Sequence, residues 1–279
     1  MYDSIPLIPI VVKHDFLLVF GSKVMRVVSL VPSLTQTLFD LGLTTDEVVG
    51  RTPWCIHPKE KVEQVMVIGG TKTPNLNKIR SLNPDLIVMD REENPLEIYQ
   101  TLADEGYAIF VSEVESAKDV PKMLRELGKA CNRESAGEQL ALLCEDSLNQ
   151  ISKVGNGLRT VPLIWYEPLM AVGPNKYAGA ILSLVGFDVI ATHPNGNGYP
   201  EVSVEDFIKH DVELILLTSE PHEFTLDEGN GIAANIVKAG GKAPMVKLID
   251  GEDLTWFGSR TAAAIARMVE FHDQINITD

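Results

Sequence analysis

LNKIRSLNPDLIVMDREEN (76–94) and VEDFIKHDVELILLTSEPH (204–222) align without a gap at an offset of 128 residues. Each reads as a short helix, a turn, a buried strand and then a Glu just past the strand, Glu92 in the first copy and Glu220 in the second. The strand portions, DLIVM (85–89) and VELILLT (212–218), have the near-continuous apolar character of strands covered on both faces. A weaker echo pairs the helix at 34–43 with the one at 177–187. Two copies of one helix–strand unit predict two equivalent α/β lobes.

One stretch between the copies has a different pattern. RESAGEQLALLCEDSLNQISKVG (133–155) is an uninterrupted helical pattern of about 22 residues, or about 33 Å, closed by Gly155. The predicted class is therefore α/β, with two lobes of mostly parallel sheet joined by one long backbone helix. The boundaries are 1–131 for the N-terminal lobe, 132–155 for the linking helix and 156–279 for the C-terminal lobe. Ligands bind beyond the carboxyl ends of strands in open α/β sheets, so two facing lobes predict a cleft between them.

Strand and helix patterns alternate through the rest of the chain. RVVSLV (26–31) reads as a strand, followed by a helix with Ser33 as its N-cap and Gly42 at its end. VVG (48–50) and VMVIGG (65–70) read as short strands. The next helix opens at Asn94 with Pro95 in its first turn, and is followed by YAIFV (107–111) as a strand and 119–131 as a helix. In the second half, VPLIWY (161–166), FDVI (187–190) and MVKLI (245–249) read as strands. IAANIVKAGG (232–241) and SRTAAAIARMVEFHDQI (259–275) read as helices. IPLIPIVV (5–12) and FLLVF (16–20) read as two short strands. They make a poor export signal, because Asp3 stands where a basic region would and no small-residue cleavage site follows.

Composition narrows the function. The 279 residues hold 24 Lys and Arg against 39 Asp and Glu, a net charge of −15. That argues against a nucleic-acid partner and against a polybasic membrane anchor. No segment reaches the roughly 20 apolar residues of a membrane-spanning helix. Three cysteines, Cys55, Cys131 and Cys144, exclude a dense disulfide framework, and the last two read as core residues of helices.

Enzyme signatures are missing. No GxGxxG follows a strand, GGTKT (69–73) lacks phosphate-loop spacing, and there is no GxSxG, HExxH or CxxC. What remains is a set of polar and aromatic residues just beyond the strands. Trp54 precedes Cys55 and His57, whose side chains are candidate ligands for a soft or borderline metal. The alternative is a loop packed by Trp54 around a structural thiol. Glu92 and the Glu220–His222 turn follow strands; the alternative for the latter is a solvated turn. Trp165 and Tyr166 end a strand, Tyr199 sits in a Gly- and Asn-rich loop, and Trp256 and Phe257 precede the last helix. Aromatic residues on several such loops, including all three Trp, predict a lined pocket with His57 or Cys55 near its rim.

RVVSLVPSLTQTLFDLGL, GRTPWCIHP, VIGGTKTPNL, NPDLIVMDREEN, YPEVSVEDF and DLTWFGSR, in that order, resemble the substrate-binding proteins of ABC importers for cobalamin and ferric siderophores. The likeness spans about 26–270 and is strongest to a cobalamin-binding-like branch. It implies a cleft lined by the Trp54 loop, by Gly69, Gly70, Thr71 and Lys72, by Trp165 and Tyr166, by Tyr199 and by Trp256 and Phe257. It also implies docking on a permease through one surface carboxylate per lobe. Glu205 matches one of these, and Asn77, which is not acidic, occupies the other place.

The expected function is non-catalytic binding of a large metal-containing ligand for an importer. A corrinoid is favoured, with ferric siderophore or haem next, because an anionic siderophore needs convergent arginines and only Arg260 and Arg91 are near the site. There is no intrinsic cofactor, since the corrinoid or ferric complex enters as ligand. The chain is expected to be a monomer with a permease as partner, periplasmic by resemblance. The alternatives are an intracellular metallocofactor-handling enzyme or chaperone, or a ligand sensor, on the same fold.

Overall fold

The computed structural model describes residues 24–151, 157–192 and 198–276. The strands expected at 5–12 and 16–20, and the helix end expected at Gly155, lie outside these residues. The chain forms two compact units. One holds the residues up to Val114 together with Asp119–Leu143, and the other holds Glu115–Lys118 together with the residues from Cys144 on.

The first unit contains β1 (Val27–Ser29), α1 (Pro32–Asp40), β2 (Val48–Arg51), α2 (Lys59–Val62), β3 (Met66–Val67), α3 (Leu76–Leu82), β4 (Leu86–Asp90), α4 (Leu96–Asp104), β5 (Ile109–Ser112) and α5 (Val120–Ala130). Its strands lie in the order β3-β2-β1-β4-β5, all parallel. Crossover helices cover a parallel sheet, so its inner strands are buried at successive positions, as are all three residues of β1 and all five of β4. Ile87 and Met89 pack with Val28, Leu30, Ile68 and Ile79 in one cluster. Each fully buried side chain of this size contributes about 1.5–3 kcal/mol relative to exposure. The helix α6 (Glu134–Gln150) is counted with the first unit through Leu143 and with the second from Cys144. Its 17 residues make about 26 Å, less than the sequence pattern predicts, because Ile151 is already non-helical.

The second unit continues with β6 (Arg159–Trp165), β7 (Met170–Ala171), α7 (Tyr177–Val185), β8 (Asp188–Val189), α8 (Val204–Lys209), β9 (Leu214–Thr218), α9 (Leu226–Lys238), β10 (Met245–Ile249), α10 (Gly251–Thr255) and α11 (Thr261–Asn276). The sheet order is β10-β9-β6-β7, with β8 also paired to β6, and only the β6–β7 pair is antiparallel. The class predicted from the sequence, α/β with mostly parallel sheets, is the one observed. No described helix is long and apolar enough to cross a membrane.

The 128-residue repeat holds at the level of single residues. β4 and β9 begin and end at matching positions. Asn75 caps α3 by accepting from the amide of Lys78, and Ser203 caps α8 by accepting from that of Asp206. Between helix and strand, Asn83 and Asp211 both take the left-handed conformation, at φ of 45° and 47°. Short polar side chains tolerate that region by bonding locally, which explains Asn and Asp at a turn that lacks Gly.

Three local expectations change. The N-cap of α1 is Val31, with Pro32 rather than Ser33 opening the helix. Asn94 does not cap α4; Pro95 holds the capping position and Asn94 is buried before it. The helix expected from 232 starts at Leu226, where Thr225 and Glu228 form a reciprocal capping box.

Candidate functional site

Parallel strands bring their carboxyl ends to one edge of each sheet, and the candidate residues follow from those ends. In the first unit, the loops after β2, β3 and β4 carry Trp54, Thr71 with Lys72, and Glu92. Asn94 ties these loops together. Its Nδ2 donates to the carbonyls of Leu30 at 3.3 Å and Thr71 at 3.0 Å, and its Oδ1 accepts from the amide of Asp90 at 2.8 Å. Asp90 fixes the next turn by accepting from the amides of Glu92 and Glu93 and from Ser112 Oγ. Burial pushes the Asp90 carboxyl above the ordinary carboxylate range, against the pull of these hydrogen bonds. Lys72 Nζ donates to the Glu92 carbonyl at 2.8 Å, so the two exposed loops are joined.

Trp54 stands out of this edge with 65% of its surface exposed. The next residue points the other way. Cys55 is fully buried, with Thr35 Oγ1 at 3.0 Å and Thr52 Oγ1 at 3.1 Å from its sulfur. Burial raises its thiol pKa, so the neutral form dominates.

In the second unit, Trp165 ends β6 with 42% of its surface exposed, and its indole N–H donates to the Glu167 carbonyl at 2.9 Å. Tyr166 stacks on His222 at 5.7 Å with 12° between the rings. Phe224 meets His222 edge-on at 4.6 Å, and Trp165 does so at 6.2 Å. Glu228 Oε1 lies 3.1 Å from His222 Nε2, and Thr225 anchors Glu228 through its amide and hydroxyl. Those Thr225 bonds hold the Glu228 carboxyl below its ordinary value. Tyr199 is half-buried, with the Lys176 ammonium 5.2 Å from its ring centre.

Glu220 follows β9. Thr255 Oγ1 donates to its carboxylate at 2.7 Å and Trp256 adds a second side-chain bond, while burial raises its pKa overall. Trp256 is only 6% exposed, and the Arg260 guanidinium lies 5.7 Å from its ring centre. Arg260 donates to Glu252 at 2.7 Å and to Asp253 at 2.9 Å. Phe257 is buried edge-on to Tyr177 at 5.7 Å.

The expected residue set therefore separates. Trp54, Lys72 and Glu92 are exposed on one edge with Thr71 beside them, and Trp165 is exposed on the other with Tyr166 partly so. Cys55 does not stand at a rim, because the two Thr hydroxyls and full burial enclose its sulfur. His57 is partly exposed, whereas that sulfur is enclosed; among the described residues no three His, Cys, Asp or Glu side chains cluster as a metal site. Trp256, Phe257 and Arg260 are scaffold rather than open wall: the ring is covered by a guanidinium that two carboxylates already neutralise. Glu220 buttresses the same scaffold. Glu205 is exposed at the second position of α8, and Asn77 is exposed at the second position of α3, where it accepts from Arg80 at 2.8 Å.

Sequence reading missed the ring cluster around His222 and the stapling role of Asn94. The signal for the first was Thr225-x-x-Glu228, which places a fixed carboxylate six residues after the imidazole. For Asn94 there was none, since its partners come from loops 64 and 23 residues away.

A family profile described as "Periplasmic binding protein" matches residues 27–237. The vitamin B12-binding protein of Pectobacterium carotovorum subsp. carotovorum (strain PC1) is 27% identical over 203 residues, covering 70% of this chain and 72% of that protein. The Fe(3+)-citrate-binding protein YfmC of Bacillus subtilis (strain 168) is 26% identical over 217 residues, covering 73% and 66%. The solved structure of the periplasmic heme-binding protein RhuT from Roseiflexus sp. RS-1 shares the fold, with a TM-score of 0.75 at 21% identity over 90% of this chain and 99% of that one.

Proposed function

The chain belongs to the periplasmic binding protein family, and from that premise we propose that it is the substrate-binding component of an ABC importer for a large metal chelate, a corrinoid first. The family and the relatives are binding proteins, not enzymes, which sets aside the alternative of catalysis. Work outside the cytoplasm is part of the same proposal. The observation that carries it is the pair of exposed indoles, Trp54 just beyond β2 and Trp165 at the end of β6, each on the carboxyl edge of its own unit. A large ring left in water forfeits about 25 cal/mol per Å² of burial, which a flat apolar ligand recovers.

Charge favours a corrinoid over an anionic ferric complex. The cations at these edges are engaged: Arg51 with backbone carbonyls, Lys72 with the Glu92 carbonyl, Arg91 with Glu113, and Arg260 with Glu252 and Asp253. An anionic chelate needs such groups turned toward it.

The test is calorimetric titration with cyanocobalamin, hemin and ferric citrate. We expect the corrinoid to bind most tightly, at micromolar concentration or below. Trp165→Ala and Trp54→Ala should each weaken it by about 1–3 kcal/mol, a roughly tenfold to hundredfold change in Kd. Tighter binding of hemin or ferric citrate refutes the corrinoid assignment, and silence with all three refutes the ligand class.

Permease docking is proposed through Glu205, exposed in the first turn of α8. Glu205→Ala should slow association with the cognate permease several-fold at low salt and flatten its salt dependence. Identical association kinetics at low and high salt for variant and parent would remove Glu205 from the docking surface.

A further inference from the structure

We propose that His222 is an axial ligand for the metal of the bound chelate, donating through Nδ1. This deepens the importer assignment and rests on it. It narrows the ligand to a chelate whose metal has an open or exchangeable axial position.

The tautomer comes first. Glu228 Oε1 lies 3.1 Å from His222 Nε2. A carboxylate only accepts hydrogen bonds, so Nε2 carries the hydrogen in the neutral ring and Nδ1 keeps the lone pair. Glu228 is itself fixed by the amide of Thr225 at 2.7 Å and its hydroxyl at 2.9 Å. A carboxylate that is held in place and takes the far N–H of an imidazole is the arrangement that orients metal-binding histidines and makes them more basic donors.

Ring contacts fix the plane. Tyr166 stacks on one face at 5.7 Å, and Phe224 stands edge-on at 4.6 Å. Yet the side chain keeps 30% of its surface accessible, and the exposed Trp165 is edge-on to it at 6.2 Å. Among the described residues Nδ1 has no hydrogen-bond partner. One nitrogen is anchored on Glu228 and the other has no partner among the described residues, beside an indole that a flat macrocycle would cover. A chelate that brings its own equatorial donors needs only this single donor from the protein. Coordination forms one Nδ1–metal bond as a bound water leaves, with no change in oxidation state.

The full chain is titrated with aquocobinamide and with hemin, followed by visible absorbance. The expected result is a shift from the water-bound to the imidazole-bound spectrum in the parent chain. His222→Ala and His222→Gln should leave the bound chelate water-ligated and weaken it at least tenfold, and millimolar free imidazole should restore the shifted spectrum to His222→Ala. His222→Gln guards against a folding artefact, because it retains a polar group of similar reach. If the parent binds either chelate and the spectra of parent and variants coincide, axial ligation is refuted while the importer reading stands. If the parent binds neither chelate, axial ligation by His222 falls, and the importer reading is then decided by the calorimetric titration with cyanocobalamin and ferric citrate.

Discussion

Asn94→Ala is expected to lower the stability of the first unit by about 3–5 kcal/mol, measured as a fall in urea midpoint at unchanged slope. The side chain is buried and uses both of its polar atoms. Removing it deprives the amide of Asp90 and the carbonyl of Leu30 of a buried partner and frees the part-buried carbonyl of Thr71. Each buried group left unsatisfied costs about 1–3 kcal/mol, and the two buried groups in this network act together. The same loss releases the Thr71–Lys72 loop from the loop after β4, so ligand affinity should fall alongside. A loss below about 1 kcal/mol would show that the loops are held by something other than this amide. The neighbouring Asp90 gives the opposite sign. Burial raises its pKa in the folded chain above the unfolded value. Its favourable contribution is therefore complete below the unfolded pKa and is lost as pH climbs through the raised folded value. Asp90→Asn keeps the acceptor for the amides of Glu92 and Glu93 and has no charge to bury. The variant should gain on the parent as pH rises from below the carboxylate range to neutrality. A parent chain that gains on the variant over that interval would contradict the sign.

These two residues also mark where sequence reading stops. The repeat placed β4 and β9 correctly, because a strand buried on both faces leaves a one-dimensional trace, a run of apolar residues between turns. The turn between helix and strand was legible too, but the left-handed conformation of Asn83 and Asp211 within it came from the structure. Burial at the loops is set by distant partners and leaves no such trace. Trp54 and Trp256 look alike in sequence, each a Trp just beyond a strand region. They part because Arg260 covers Trp256 and Glu220 holds it, whereas Trp54 stands out of its loop. Cys55 and His57 are two residues apart, yet one faces Thr35 and Thr52 inside and the other lies at the partly exposed surface. His222 read as part of a turn because Tyr166, which fixes its plane, comes from the end of another strand.

Two glycine-to-alanine changes in helices of the second unit should act in opposite directions. Gly179 lies in the first turn of α7, and a Cβ there would run into the Gly173 carbonyl oxygen and stand 2.9 Å from Pro174 Cα. Both contacts are backbone, so no side chain can swing aside. The Gly173 turn is itself held, its amide donating to the Gly198 carbonyl at 2.8 Å and its carbonyl accepting from Lys176 at 3.2 Å. The helix must therefore back away by about 1 Å, beyond the overpacking that usually costs about 1–3 kcal/mol, and Gly179→Ala should lose about 3 kcal/mol or more. Lys176 and Tyr199 belong to the same turn region, so the displacement reaches a candidate ligand residue as well. Gly231 is in α9, exposed, and a Cβ added there would meet nothing within 4 Å. Alanine at that position has no obstacle and the unfolded chain loses freedom, so Gly231→Ala should gain about 0.5–1 kcal/mol with ligand affinity unchanged. Urea midpoints of the two variants should fall on either side of the parent. If Gly179→Ala is neutral, α7 does not rest on the Gly173 turn, and the position of Tyr199 must be set from elsewhere.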